Sequence, residues 1–301
     1  MKRGWWRSIF VGLLLCWALV VMAKPQRPRI LGIEGVEIYV SDAAASNQFY
    51  RKVTSLNEVC DRCERQMPQV TSILLPGSQI IKLSSTRSAQ PLNLLNSITF
   101  EVDDETAMKK FLQANGVPFK EYPRRSKEEG AYLSVVDPEG HQILFAGPLF
   151  WRIKTPPPSV HLIHAGFVVK DRAAMDRFYK DILGFRLYWH GGMTDDQTQW
   201  VDMQVPDGTD WIEYMLNIPA DADKHTLGVM NHIALGVPDV KAAVKALEAN
   251  GMKLTEQPRI GRDGKWQLNL YDPDQTRVEL MEFTPVEKPC CAEYTGPHPK
   301  P

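Results

Sequence analysis

The strongest constraint on what this chain can fold into is that it repeats itself. Segment 96–116 aligns without gaps on segment 231–251, an offset of 135. The two share Asn96/Asn231, Val102/Val237, Asp104/Asp239, Ala107/Ala242, Lys110/Lys245 and Leu112/Leu247, and close in the identical triplets Ala114-Asn115-Gly116 and Ala249-Asn250-Gly251. The same offset pairs Asp137-Pro138 with Asp272-Pro273. An offset of 129 pairs Asp42, Ala44, Ala45, Phe49 and Tyr50 with Asp171, Ala173, Ala174, Phe178 and Tyr179. The chain therefore has two similar halves, each built from two related units.

Each unit reads as a strand, a helix and then several strands. In the third, Ala165-Gly-Phe-Val-Val169 is a strand and Asp171 an N-cap; Ala174, Met175, Phe178, Tyr179 and Ile182 recur at helical spacing until Gly184 stops the helix. Strands follow over 185–189, 199–205 and 211–217, with Pro206-Asp207-Gly208 as a turn. The fourth unit repeats this: strand 233–237, cap Asp239, an apolar stripe of Val240, Ala243, Val244 and Leu247, the stop Gly251, and strands 266–271 and 276–283 around Asp272-Pro273-Asp274. Lys154-Thr-Pro-Pro-Pro-Ser159 is a stiff linker between the halves.

Four βαβββ units with Asp-capped helices, a Phe-Tyr pair in the first and third and a closing Asp-Pro turn in the second and fourth, resemble the vicinal oxygen chelate (VOC) superfamily of glyoxalase, bleomycin-resistance and extradiol dioxygenase proteins. The most specific stretches are Phe178-Tyr179-Lys-Asp-Ile-Leu-Gly184-Phe185 and Asp272-Pro-Asp-Gln-Thr-Arg-Val-Glu279-Leu. The resemblance covers roughly residues 30–285. It implies an α+β fold of two tandem glyoxalase-like domains, 30–150 and 160–285; beyond them the proline content of 286–301 reads as a flexible tail. Gln275 stands where Gly usually follows Asp-Pro-Asp, a departure expected to alter only the turn. In this family paired units curve around a cleft that often holds a divalent metal.

Polar residues at core-facing strand positions give the candidate site. His164 and His232 open the first strands of units three and four, and Glu213 and Glu279 lie in the last strands. Period-two alternation groups His164 with Gly166 and Val168, and His232 with Ala234 and Gly236, small neighbours that leave room for a cavity. An inward imidazole or carboxylate is costly unless paired or bound to a cation, and two of each suit a borderline divalent ion. The order His, Glu, His, Glu resembles the metal set of glyoxalase I-type members, which makes His164, Glu213, His232 and Glu279 the ligands. The matching N-terminal positions, Gly35, Lys82, Ser97 and Leu144, offer no workable set, Ser97 being the one weak donor. An empty first half beside a metal-bearing second half is also the pattern of extradiol dioxygenases. His161, His190 and His225 lack positional support as ligands, although His190 and His225 fall where they could reach a cleft rim. The aromatics Trp189, Trp200, Trp211, Tyr214, Trp266 and Tyr271 read mainly as packing, some of them lining an apolar pocket.

Three chemistries follow from the resemblance. The first is a glyoxalase-type lyase or isomerase, in which Zn, Ni, Co or Mn binds two vicinal oxygens of a small hydroxy-carbonyl substrate, stabilises an enediolate, and Glu213 or Glu279 moves the proton. The second is an extradiol dioxygenase holding Fe(II) through His164, His232 and Glu279. That enzyme needs an acid-base histidine where Glu213 stands and a tyrosine shortly before the last ligand, for which Tyr271 is the candidate. The third is a non-catalytic small-molecule binder, against which the retained ligand set argues. Four units can complete a site within one chain, so monomer and homodimer both stand.

Composition bears on the compartment and the partners. The 301 residues carry 35 basic and 36 acidic side chains, net −1, which excludes nucleic-acid binding through a basic surface. Residues 1–23 read as a signal peptide: Lys2, Arg3 and Arg7, then the apolar run 9–22, then Val21-Met22-Ala23 as a cleavage signal. That run is shorter than the roughly 20 residues a membrane-spanning helix needs. Its removal leaves 32 basic against 36 acidic residues, net −4, in an exported, soluble protein with no stable membrane partner. In that compartment Cys60, Cys63, Cys290 and Cys291 are expected to be oxidised, with pairing left open.

Overall fold

The computed structural model describes residues 25–54, 70–75, 79–85, 93–122, 131–147 and 160–301. The leader, Cys60, Cys63 and the linker at 154–159 lie outside them.

The fold is α+β, with each half a curled mixed sheet. In the first half the order is β2 (Val70–Leu74), β3 (Ile80–Ser85), β1 (Ile30–Val40), β4 (Leu95–Val102), β7 (Gln142–Ala146), β6 (Tyr132–Val136), β5 (Phe119–Tyr122). In the second it is β13 (Arg259–Ile260), β14 (Trp266–Tyr271), β15 (Arg277–Glu282), β12 (His232–Val237), β8 (His161–Val168), β11 (Trp211–Met215), β10 (Trp200–Gln204), β9 (Arg186–Gly191). In both sheets the opening strands of two units pair antiparallel at the centre, and each is flanked by a parallel closing strand. The two units of a half thus present their opening and closing strands side by side along one concave face.

The helices are α1 (Ala43–Thr54), α2 (Glu105–Ala114), α3 (Arg172–Asp176, running on as a wider π turn over Arg177–Ile182), α4 (Lys224–Met230) and α5 (Val240–Ala249). The repeated aspartates cap them as their spacing predicts. Asp104 accepts from Ala107 N at 2.8 Å, while Asp171 and Asp239 accept from Ala174 N and Ala242 N at 2.9 Å; Asp42 takes Ala44 N and Ala45 N. Each such side chain satisfies a backbone donor that the first helical turn leaves open. Gln275 is held at φ 70° where its counterpart Gly140 has φ 96°, so the fourth unit keeps its turn at the cost of a left-handed non-glycine residue.

The halves are joined by a core and by reciprocal bonds. Tyr50 of α1 donates to Asp272 in the last turn of unit four, and Tyr179 of α3 donates to Asp137 in the last turn of unit two, each at 3.1 Å. The Phe-Tyr and Asp-Pro repeats are therefore two sides of one contact, made twice. Phe100 meets Phe185 edge-on at 5.3 Å across the same boundary.

Gln79 clamps the two central strands, donating to Ile33 O (2.8 Å) and Leu162 O (2.9 Å) while accepting from Leu162 N (2.7 Å). It is buried, so Gln79→Ala strands three backbone groups and should cost roughly 2–4 kcal/mol, read as a lower urea midpoint. An unchanged midpoint would remove Gln79 from the inter-half joint.

The segment expected to be a flexible tail instead packs against the second half. Val286 N bonds Gly264 O, Cys290 N bonds Arg262 O, Thr295 N bonds Tyr188 O and Gln204 Nε2 bonds Pro297 O. The segment crosses from the β13–β14 turn to β9 and β10, so it straps the two edges of the curled sheet together. Its backbone bonds replace the entropy argument on which a Pro-rich terminus reads as mobile. Cys290 and Cys291 are joined to each other in this strap by a disulfide. Among the described residues no helix is long and apolar enough to cross a membrane.

Candidate metal centre

Sheet register brings the four sequence-chosen side chains to one place. Ala234 lies opposite His164 on one side and Glu279 on the other, while Gly166 lies opposite both His232 and Glu213. The two rows sit on neighbouring pleats of β11, β8, β12 and β15. His164 Nε2 is 3.1 Å from His232 Nε2, and Glu213 Oε2 is 3.1 Å from His232 Nε2 and 3.8 Å from His164 Nε2. Glu279 Oε2 lies 3.7 Å from His164 Nε2. His164, Glu213 and His232 each offer a donor atom within 4.8 Å of the others, and Glu279 approaches this trio from the His164 side.

The small neighbours serve a different purpose from the one their size suggests. A Cβ on Gly166 would overlap the His232 ring, and one on Gly236 would overlap Phe283 and Ile163. These glycines make room for protein rings rather than for a cavity. Gly166→Ala should push the His232 imidazole aside and weaken divalent-metal affinity roughly tenfold to a hundredfold in a folded protein, read by competition with a chromophoric chelator. Wild-type affinity in that variant would show that the ring position is not critical.

The first half explains why it has no counterpart. Glu37 stands opposite Lys82 and Ser97, as Gly166 stands opposite Glu213 and His232. Its carboxylate is bonded to Ser84 Oγ and to Asn96 Nδ2, so a side chain fills the place that the second half leaves to an imidazole.

The donor chemistry fits a divalent cation. His232 Nδ1 lies 3.1 Å from Met230 O, which fixes the proton there and turns the Nε2 lone pair toward the cluster. Burial, then the neighbouring His232 and the cations Arg277 and Lys265, push the His164 pKa well below 6.5; burial and Arg277 do the same to His232. Both rings are neutral, as metal ligands must be. Burial raises Glu213 and Glu279 to about 7 even though Arg277 pulls the other way. A cluster of converging acceptors wants positive charge at its centre.

Sequence reading missed the cations. Arg277 Nη2 meets His232 Nε2 at 2.7 Å. Period two along β15 puts Arg277 on the same face as Glu279. Lys265 and Asp202 are also buried beside the centre, Asp202 directly across from Glu213. Tyr271 is turned to Glu256, its OH 2.5 Å from Oε1, and no contact with the four donors is seen among the described residues. His161 is bonded to Asp210 at 2.8 Å, and His141 to Asp137 at 2.8 Å, both structural partnerships. His225 lies 6.3 Å from the Tyr271 ring, and His298, a tail residue, reaches Tyr188 OH at 2.5 Å. A second group, Asp195, Cys290 and Cys291, has its sulfurs tied up in the disulfide.

The chain is similar to several known proteins. A lactoylglutathione lyase from Haemophilus influenzae is 27% identical over 125 residues, 41% of this chain and 93% of the relative. A probable chloroplastic lactoylglutathione lyase from Arabidopsis thaliana is 24% identical over 134 residues, 43% of this chain and 38% of the relative. Among solved structures, an extradiol ring-cleaving dioxygenase from B. fuscum superposes with a TM-score of 0.62 at 20% identity, covering 85% of this chain and 73% of that one. The 2,3-dioxygenase LapB from Pseudomonas sp. KL28 gives 0.64 at 18% identity, with 92% and 96% covered. These structural matches speak to the tandem fold alone. The family model for the glyoxalase/bleomycin resistance protein/dioxygenase superfamily matches residues 32–145 and 161–280, and the chain belongs to that superfamily.

Proposed function

We propose that the second half is a metal-dependent enzyme of the glyoxalase type, a lyase or isomerase that moves a proton on a small hydroxy-carbonyl compound. The observation that carries this reading is Glu213: its carboxylate sits among the imidazole nitrogens, 3.1 Å from His232 Nε2, where a dioxygenase of this family would need a free histidine. His164, His232, Glu213 and Glu279 would hold the cation, which when bound polarises two neighbouring substrate oxygens as a Lewis acid.

The chain's own residues then divide the work. The Glu213 side chain is 13% exposed against 6% for Glu279, so Glu213 is the carboxylate that can reach a guest, taking the proton at Oε2 and returning it. Glu279, His164 and His232 anchor. The expected leader places the enzyme outside the cytosol, and the substrate accordingly among compounds other than adducts of cytosolic thiols.

The tandem likeness to extradiol dioxygenases supports a second reading, with Fe(II) on His164, His232 and Glu279. Anaerobic purification with elemental analysis separates the two. Protein holding Zn, Ni, Co or Mn should exchange the carbon-bound hydrogens of hydroxyacetone with D2O by NMR and leave oxygen untouched in the presence of catechol. Catechol-dependent oxygen uptake by Fe(II) protein would replace the first reading with the second; metal-free protein inactive in both assays would leave a binding protein.

A further inference from the structure

Lys265, in the turn between β13 and β14, is wholly buried, and its Nζ has no hydrogen-bond partner among the described residues. Three rings enclose the ammonium, with centroids at 4.6 Å (Trp211), 5.2 Å (Tyr294) and 5.4 Å (Tyr188). Aromatic faces attract a cation but do not saturate three N–H donors. Burial opposes the charge, while the carboxylates of Asp263, Asp202 and Glu279 support it.

This cage abuts the metal centre. The Trp211 indole that faces Lys265 also lies 4.8 Å from the His164 ring. On the same side, Trp211 Nε1, Asp202 Oδ1, Asn269 Oδ1 and His164 Nδ1 are likewise buried without partners among the described residues. Folded proteins pair nearly all such atoms, so a concentration of open ones around a single centre marks a place for a polar guest. Tyr294 comes from the C-terminal strap, bonded through its OH to Asp263 O at 2.9 Å, and roofs the cage against water.

We propose that Lys265 is a substrate-contacting residue whose ammonium donates to the oxygen that gains negative charge when the proton leaves the substrate carbon. The proposal rests on the proton-transfer reading above. A buried ammonium with no hydrogen-bond partner among the described residues favours the anionic form of a guest over the neutral one, and so acts where catalysis needs it.

The test is binding of acetohydroxamate, an anionic ligand with two neighbouring oxygens, to the Co(II)-loaded protein, followed by visible absorption. Lys265→Met keeps the length and the ring contacts and removes the donor. Its acetohydroxamate Kd should rise at least tenfold, as loss of a charged hydrogen bond requires, with Co(II) affinity and the unfolding midpoint held. Unchanged acetohydroxamate affinity overturns the proposal and leaves Lys265 as a latch for the strap. Should the Met variant not fold, Lys265→Gln is measured in its place, with the same two outcomes. Failure of the wild-type protein to bind Co(II) is a separate result, and it overturns the metal reading instead.

Discussion

Glu213→Gln should lower turnover by about a thousandfold while the protein stays folded and retains part of its metal. The swap preserves shape and removes only the basic oxygen, and a positioned general base contributes on the order of 10² to 10⁴ in rate. Three donors, His164, His232 and Glu279, remain in place, so metal is weakened rather than lost. Glu279→Gln should behave differently. That carboxylate is deeper and lies against His164, so its loss should show first in metal affinity and only then in rate. The measurement is initial rate at saturating Co(II) beside a Co(II) titration for each variant. Full rate in Glu213→Gln would remove Glu213 from the chemistry; equal effects from both variants would remove the division of labour between them.

Much of this arrangement is legible in the sequence because repeats carry three-dimensional information. A helix cap that recurs at Asp42, Asp104, Asp171 and Asp239 fixes four helices, and the strand–helix–strand order fixes the units. The candidate side chains could be chosen because a charged or ionisable residue at an inward strand position is expensive, and because four of them occur at matching positions of two units. The structure brings those four together. What the sequence conceals is whatever depends on contacts between units. Nothing local in Tyr50 or Tyr179 says that each reaches an aspartate of the other half. Glu37 looks like any strand glutamate until the register shows it in the place of Gly166. Lys265 follows Asp-Gly in a turn, where a lysine ordinarily faces water, and it is buried by rings from distant segments, Trp211, Tyr188 and Tyr294 of the strap. The strap reads as a flexible tail because most of its bonds are backbone to backbone or reach segments far away in the chain, and no residue pattern announces them.

Apparent affinity for a divalent cation should climb steeply with pH up to about 7 and level off above it. Burial lifts both Glu213 and Glu279 from 4.5 to about 7, so below that pH each carries a proton that a cation must displace. Two displaced protons make a slope near two, roughly a hundredfold in affinity per pH unit between pH 5 and 6.5. Burial pushes His164 and His232 well below 6.5, so they do not carry the rise up toward 7. The same shifts set the stability of the metal-free protein. A carboxylate with a raised folded pKa binds more protons folded than unfolded between 4.5 and 7, so each of the two costs roughly 3 kcal/mol of stability as pH rises through that window. A histidine with a depressed folded pKa has the opposite sign, its cost falling as pH rises toward 6.5. The two trends oppose each other up to about 6.5, and only the carboxylate cost continues beyond it. Chelator-treated protein should therefore lose stability as pH rises from 6.5 through about 7, and the rise in Tm on adding metal should be largest at and above the upper end of that range. Competition titrations across pH and paired melts with and without chelator measure both curves. A slope of one or less, or a plateau reached already near pH 5, would show that the two glutamates do not meet the cation together.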